Sequence, residues 1–428
     1  MAQELMTQGF KKVYALKGGY RDWIKAQYPT DSKFVITRKC VECHKDITPN
    51  IVADWELSKH SKNMVSCSVC HDAAHMSEDD VDKVQSVKPD RCIKCHQVRG
   101  DQFKKGKHAL AWKAMKAMPT THWQPMALVE GMKGCGGCHK VGLKTKDEIG
   151  QLKKEGVKFG LASCDNCHTR HLFSVKEAKE PQACQTCHMG FDHPQWEMYS
   201  TSKHGVRYFL KQTGLLPETT AAPTCQTCHM EGGDHDVISP WGFMALRLPM
   251  PEDEKWAEAR RIILQSLGVL DMEGKPTPRL DAAKSIDLLR LTEEDWQENR
   301  KRMLRTCRKC HSINFARGEL EKGDQMIRNV DLLMAQAIEI VAKLYRDGIL
   351  VKSKEYPYPF PDILSFHDAP TEIEQTLFVM FFKHRMRAFQ GVFHANPDYA
   401  LWYGWSAMRR DMTKIRSLDR QLRERKAQ

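Results

Sequence analysis

Cys184-Gln185-Thr186-Cys187-His188 decides how the chain is read, because its spacing recurs at Cys40–His44, Cys67–His71, Cys92–His96, Cys135–His139, Cys164–His168, Cys225–His229 and Cys307–His311. All sixteen cysteines fall in these eight Cys-x-x-Cys-His pentads, and none is left over. Two thiols separated by two residues can add as thioethers across the two vinyl groups of one haem. The histidine that follows then lies beneath the ring as the proximal iron ligand. Zinc would gather four ligands from paired Cys-x-x-Cys units and would not require a histidine after each. A redox dithiol would occur once, on a βαβ pattern. The reading therefore makes Cys40, Cys43, Cys67, Cys70, Cys92, Cys95, Cys135, Cys138, Cys164, Cys167, Cys184, Cys187, Cys225, Cys228, Cys307 and Cys310 the attachment points of eight covalent c-type haems. The proximal ligands are His44, His71, His96, His139, His168, His188, His229 and His311.

Working outward from the pentads, residues 40–311 allot about 34 residues to each. That is too little for each haem to own a conventional core, so the porphyrins are expected to be the apolar filling, amid loops and short helices with few strands. Beyond about Met250 the pattern changes to helical periodicity. Acids follow Pro251 in a helix expected to reach about Leu267, and Thr292 opens another that leads into Cys307. Residues 324–347 place Ile327, Val330, Leu333, Ala337, Ile340, Val341 and Leu344 on one stripe. Two further helices are expected near 371–390 and 397–424, after a Pro-rich connection at 357–361. The expected fold is mainly α, a multihaem cytochrome c with little β, a haem-packed N-terminal part and a long C-terminal helix bundle. Met380, Phe381, Phe382 and Met386 are read as helix packing rather than ligands.

The formal charge of +12 on 428 residues invites a nucleic-acid reading. No nucleic-acid motif accompanies it, and sixteen haem propionates would absorb the cationic excess. The longest apolar run, around Leu377–Phe382, is far too short to span a bilayer. Attachment of c-type haem takes place on the oxidising side of the bacterial membrane, so the expected location is periplasmic or otherwise exported. Residues 1–39 contain no signal peptide. Gly9 to Pro29 instead resembles the last strand and helix of a rhodanese (sulfurtransferase) domain, with a strand at Val13–Leu16, a Gly-Gly turn and a helix ended by Pro29. The expectation is of a chain lacking its true N-terminus. The division is thus a truncated rhodanese-like tail at 1–30, an octahaem domain at 31–320 and a long-helix region at 321–428.

Of nineteen histidines, eleven lie outside the pentads: His60, His75, His108, His122, His171, His193, His204, His235, His367, His384 and His394. Eight distal ligands would be needed if every iron only passed electrons, and seven if one iron keeps an open face. The count permits both. His60, His75, His204 and His235 are the distal ligands the local sequence favours.

Three stretches resemble the octahaem hydroxylamine oxidoreductase family: Cys184 to Gly205, Cys225-Gln-Thr-Cys-His-Met-Glu-Gly-Gly-Asp-His235, and Gly391-Val-Phe-His-Ala-Asn-Pro-Asp-Tyr-Ala-Leu-Trp-Tyr-Gly404. The resemblance extends from Cys40 to the end. It implies a mostly helical homotrimer in which the fourth haem along the chain, on Cys135, Cys138 and His139, has an open iron face. It also implies Asp192 and His193 as the pocket pair, His193 delivering protons and Asp192 holding its tautomer. The alternatives are that His193 is a distal ligand, or that Asp234–His235 is the pair. Oxidising members carry a tyrosine cross-linked to the catalytic haem. The matching position falls on Phe389, with Tyr399 and Tyr403 nearby, which points to the reducing members. The implied partners are nitrite or hydroxylamine and a redox cytochrome or quinol-linked donor. Oxidation of hydroxylamine or hydrazine, a purely electron-transferring cytochrome, and sulfur-oxyanion chemistry are the competing readings.

Overall fold

The computed structural model describes Asp22 and residues 32–84, 87–117, 136–154, 163–239, 241–242, 244–285, 290–352, 360–364 and 369–428. The rhodanese-like reading of residues 1–30 therefore lies outside the described residues, Asp22 apart, as do Cys135, His122, His367 and most of the Pro-rich connection. Among the described residues there is no β-strand, only an isolated bridge between Leu270 and Pro276. The fold is mainly α, as the pentad spacing led one to expect. Contacts divide the chain into two units, Met1–Val87 with Thr169–Ser174, and Lys88–His168 with Val175–Gln428.

The first unit contains α1 (Ser32–Ile47), which carries the first pentad in its body, and α2 (Pro49–Leu57), started by a proline whose missing N–H costs nothing in the first turn. In the second unit most pentads sit on short helical turns joined by loops, and the last one follows from the end of a long helix at Cys307. Longer helices carry the packing: α3 (Gln195–Ser200), α4 (Lys203–Gln212), α5 (Glu254–Ser266), α6 (Glu293–Cys307) and α7 (Ile313–Arg346). Two runs follow. In α8, Glu372–Val379 continues through a π-helical Met380–Arg385 into Met386–Phe393. In α9, Pro397–Tyr399 continues through a π-helical Ala400–Trp405 into Ser406–Ala427.

Side-chain caps fix where these helices begin. Asp253 accepts from Trp256 N, Thr292 from Asp295 N, Ser312 from Phe315 N and Asn396 from Tyr399 N, each satisfying an orphan amide of the first turn. The Ser312 cap explains why α7 begins directly after the last pentad, well before the expected 324. Its early buried residues, Ala316, Leu320 and Gly323, are small or isolated among charges and give little apolar signal. Met334 and Ile338, which the expected stripe left out, are fully buried, while Ile340, placed on it, is only half-buried. The boundary placed at 320 falls inside this helix.

Helices α5, α7, α8 and α9 enclose one apolar core containing Ile263, Ile327, Val341, Phe381, Phe389, Met408 and Ile415. Two glycines set how closely the helices approach. A Cβ on Gly323 would stand 2.2 Å from Phe393 Cε1, and that ring is pinned on Trp241 at 4.1 Å between centroids. A Cβ on Gly404 would stand 2.3 Å from the backbone nitrogen of Ala388. Gly404→Ala is expected to destabilise by about 1–3 kcal/mol, because the overlap with backbone outweighs the roughly 1 kcal/mol of helix propensity gained. A lowered denaturant midpoint followed by far-ultraviolet circular dichroism checks it. No helix among the described residues is long and apolar enough to cross a membrane.

Candidate haem-binding and active site

Pentad histidines are presented at the ends of short turns whose backbone closes on itself, as in His188 N to Cys184 O at 2.9 Å and His311 N to Cys307 O at 3.0 Å. What they face is decisive. An imidazole nitrogen binds a first-row metal at about 2.0–2.1 Å, so two rings on opposite sides of one iron have centroids about 6.2 Å apart. His44 and His75 stand 6.1 Å apart, and His71 and His171 also 6.1 Å. His168 and His235 are 6.2 Å apart, His108 and His188 6.0 Å, His204 and His311 6.0 Å, and His229 and His394 6.3 Å. Six pentads thus have a second imidazole at the spacing that one iron requires.

Hydrogen bonds to the far ring nitrogen turn Nε2 toward that space, which is how metal-binding histidines are usually oriented. His44 Nδ1 meets Thr48 Oγ1 at 2.8 Å, and His75 Nδ1 meets Asp80 Oδ1 at 2.9 Å. His139 Nδ1 is held by Ala111 O at 2.8 Å and His229 Nδ1 by Ile238 O at 2.8 Å. His235 and His394 are held by Gly233 O (2.7 Å) and Gln390 O (2.8 Å). His188 Nδ1 lies 3.2 Å from Gln195 Oε1. Burial pushes the His188 and His394 imidazoles down to about 4, and His108 and His229 are lowered by the same cause. A neutral imidazole is the form that ligates iron.

Thiols from different pentads also meet. Cys40 contacts Cys67, Cys92 contacts Cys164, Cys138 contacts Cys187, and Cys184 contacts Cys225. Each contact brings two attachment edges together, so porphyrins held there would lie edge to edge. The fourth pentad adjoins the sixth, and the sixth adjoins the seventh.

The fourth pentad is placed by Ala109–Trp112, whose backbone runs beside residues 139–143. Leu143 N donates to Ala109 O at 2.8 Å, and a Cβ on Gly142 would stand 2.0 Å from Trp112 N. Lys144 packs over the Trp112 ring at 4.9 Å, with burial lowering its pKa to about 8. Nothing in the local sequence singles out this lysine. Asp192 and His193 stand close enough to His139 and Cys138 to act on both electrostatically. His193 Nδ1 is hydrogen-bonded to Asp192 Oδ1. Burial pushes the His193 imidazole down, but the Asp192 carboxylate outweighs it and leaves the pKa above the ordinary histidine value.

The loop bearing this pair is braced from α3 and α8. Gly190 N donates to Glu197 Oε1 at 2.9 Å, Arg387 Nη2 donates to Gly190 O at 3.2 Å, and the Phe191 ring stacks on Phe378 at 5.8 Å. Gln195 Nε2 donates to Gln390 Oε1 at 2.9 Å. His193 also lies 6.1 Å from His188, yet the loop closes on its own pentad, with Trp196 N on His188 O at 2.8 Å. His108, by contrast, reaches His188 from a separate segment of the chain.

Of the four distal histidines favoured by the sequence, His75, His204 and His235 face pentad histidines. His60 packs edge-on against Phe173 at 5.0 Å. The local sequence did not single out His108, His171 or His394. Asp234 lies 3.4 Å from Arg302, which also approaches Asp236. Phe389 is buried against the Arg385 guanidinium, and Tyr399 stacks on Tyr403 at 4.9 Å. His96 stands at the start of the helix Gln97–Lys105, within electrostatic reach of His168.

Paired thiols followed by paired imidazoles at iron-spanning distance define a protein that carries c-type haems through covalent thioether attachment. Residues 36–261 and 282–356 match the family described as "Seven times multi-haem cytochrome CxxCH", and the chain belongs to that family, with eight such pentads of its own. It is similar to the structure of a reducing HAO-like protein complex from Kuenenia stuttgartiensis, with TM-score 0.68 and 25% identity over 94% of this chain and 88% of that one. A curated relative from the same organism, "Probable nitrite reductase-hydroxylamine oxidoreductase fusion protein", is 26% identical over 91% of this chain and 52% of its own length. The chain thus spans about half the length of that relative. A "Hypothetical multiheme protein" shares the fold at TM-score 0.64 and 19% identity, over 93% of this chain and all of its own.

Proposed function

We propose that the chain reduces nitrite or hydroxylamine to ammonia at the haem of the fourth pentad, fed with electrons by the haems of the other seven. The observation that carries this reading is the hydrogen-bonded Asp192–His193 pair beside His139 and Cys138. A bound haem there supplies an iron with a position for nitrogen and electrons one at a time. Each N–O bond broken consumes protons as well, and these are His193's task. Its Nδ1 is hydrogen-bonded to Asp192, and the carboxylate works against burial to raise the pKa of the imidazole, which favours the protonated form that a proton donor needs. Asp192 balances the imidazolium charge and holds the tautomer.

The reductive direction is supported by Phe389. By the resemblance it falls at the position where oxidising members carry a tyrosine, and its ring is buried in the core against Arg385. The relative described as reducing points the same way. Export to the periplasm, assembly as a homotrimer and supply by a redox cytochrome or quinol-linked donor belong to the same proposal. Assays with nitrite, hydroxylamine and sulfite side by side, using reduced viologen, test it. Ammonium formed from nitrite or hydroxylamine supports the reading, and turnover of sulfite alone redirects it to sulfur. Uniformly low-spin irons without turnover would leave a cytochrome and remove the enzyme. Intact mass of exported protein is expected to show eight haem additions.

The ligand pairs carry their own prediction. His394→Ala and His171→Ala are each expected to convert one low-spin haem to high spin, seen by electron paramagnetic resonance and the Soret band. An unchanged spectrum would remove that residue from its iron.

A further inference from the structure

We propose that Asp80 lowers the reduction potential of the haem carried by Cys40, Cys43 and His44, making the start of the chain a strongly reducing end. The proposal rests on the reading of His75 as the second ligand on that iron. His75 stands 6.1 Å from His44 between ring centroids, and it acts electrostatically on Cys40 of the same pentad. Its Nδ1 lies 2.9 Å from Asp80 Oδ1.

This partner is unlike the others. Among the seven haem-facing histidines with a described Nδ1 partner (His44, His75, His139, His188, His229, His235 and His394), the acceptor is a hydroxyl, a side-chain amide or a backbone carbonyl in every case but His75. Asp80 is also fixed in place. Its Oδ1 accepts from Met76 N at 3.0 Å and Ser77 N at 2.9 Å, so the carboxylate cannot swing away from the ring. Lys83 Nζ stands 4.0 Å from Oδ2 on the exposed side and offsets part of the charge.

A carboxylate on Nδ1–H draws the proton toward itself and gives the imidazole anionic character. The more basic ring favours ferric over ferrous iron, as does the nearby negative charge itself. The couple concerned is a single electron, ferric to ferrous, supplied by the external donor that any reductive reaction consumes. An electron on this haem would then be held weakly and passed on readily to the porphyrin attached at Cys67, whose thiol touches that of Cys40.

Potentiometric titration of the haem-loaded protein, followed optically and by electron paramagnetic resonance, tests the proposal without reference to turnover. Asp80→Asn keeps an oxygen for the Met76 and Ser77 amides and removes the charge. One midpoint is expected to rise while the others stay in place. Lys83→Gln, a surface change that leaves the fold alone, is expected to move the same midpoint downward. His75→Ala is expected to add one high-spin haem. If it does, and neither charge variant moves any midpoint, the role of Asp80 is overturned while the ligand stands. If His75→Ala leaves every iron low-spin, the ligand reading fails and takes the proposal with it.

Discussion

Replacing His193 by glutamine is expected to lower kcat/KM for hydroxylamine about 10²–10⁴-fold, the range associated with loss of a general acid, with the low-spin haem spectrum unchanged. Glutamine keeps a polar side chain of similar reach but cannot release a proton near neutral pH. The spectrum is the discriminating readout. If His193 were a distal ligand, its loss would create a new high-spin haem, whereas a proton donor leaves every iron's ligands as they were. Asp192→Asn sharpens the test through pH. Burial lowers the His193 pKa and the carboxylate raises it, with a net rise. In the haem-loaded protein Cys138 is a thioether without charge, which leaves the Asp192 carboxylate, ahead of the Cys187 backbone carbonyl, as the main group that raises the pKa. The acid must be protonated to act, so activity falls as pH rises through that pKa. Removing the carboxylate is expected to move the alkaline limb of the kcat/KM profile to lower pH. A limb that stays in place would assign the proton to another group.

How much of this was legible in the sequence follows from how local each feature is. Haem attachment needs two thiols and a histidine within five residues, so Cys184–His188 and its seven counterparts announce themselves. Distal ligands are not local. His108 reaches His188, His171 reaches His71 and His394 reaches His229 from other parts of the chain. His394 had a visible trace, lying within the Gly391–Gly404 stretch that resembles the family. The fold shows what that stretch does: His394 caps α8 and faces His229, while Asn396 starts α9 and ties it to Met198 O at 2.9 Å. The early part of α7 was hidden for a different reason. Its helix is specified by the Ser312 cap and by small residues that let neighbours close in, and neither produces an apolar stripe. The π-helical turn Ala400–Trp405, whose Gly404 packs against Ala388 just past the π-helical Met380–Arg385, depends on side-chain packing that no periodicity encodes.

Asp331→Ala is expected to cost about 3–5 kcal/mol of stability, the penalty for breaking a buried ion pair from one side. Asp331 and Arg385 are both fully buried (0% exposed), with Arg385 Nε and Nη2 donating to Asp331 Oδ1 at 2.9 and 2.6 Å. The other carboxylate oxygen accepts from Trp256 Nε1 at 2.9 Å and lies 4.0 Å from Arg260 Nη1. One carboxylate therefore serves two buried guanidiniums, from α5 and α8, and its removal leaves both cations facing each other without a counter-ion. Arg385 keeps Met244 O and the faces of Phe381 and Phe389, at 5.3 Å each, which hold the guanidinium in place but do not neutralise it. Asp331→Asn is nearly isosteric and isolates the charge, so it is expected to recover less than half of the loss. Arg385→Met with Asp331→Leu still strands Arg260, and should remain well below the parent. A lowered denaturant midpoint at unchanged slope reads the stability. The consequence reaches the haems because α8 also carries Arg387, Gln390 and His394, the residues that brace the Gly190–Pro194 loop and face His229. A core that loosens there should broaden the low-spin resonance of the His229 haem before the protein unfolds, whereas a resonance that stays sharp until global unfolding would confine Asp331 to the stability of the bundle.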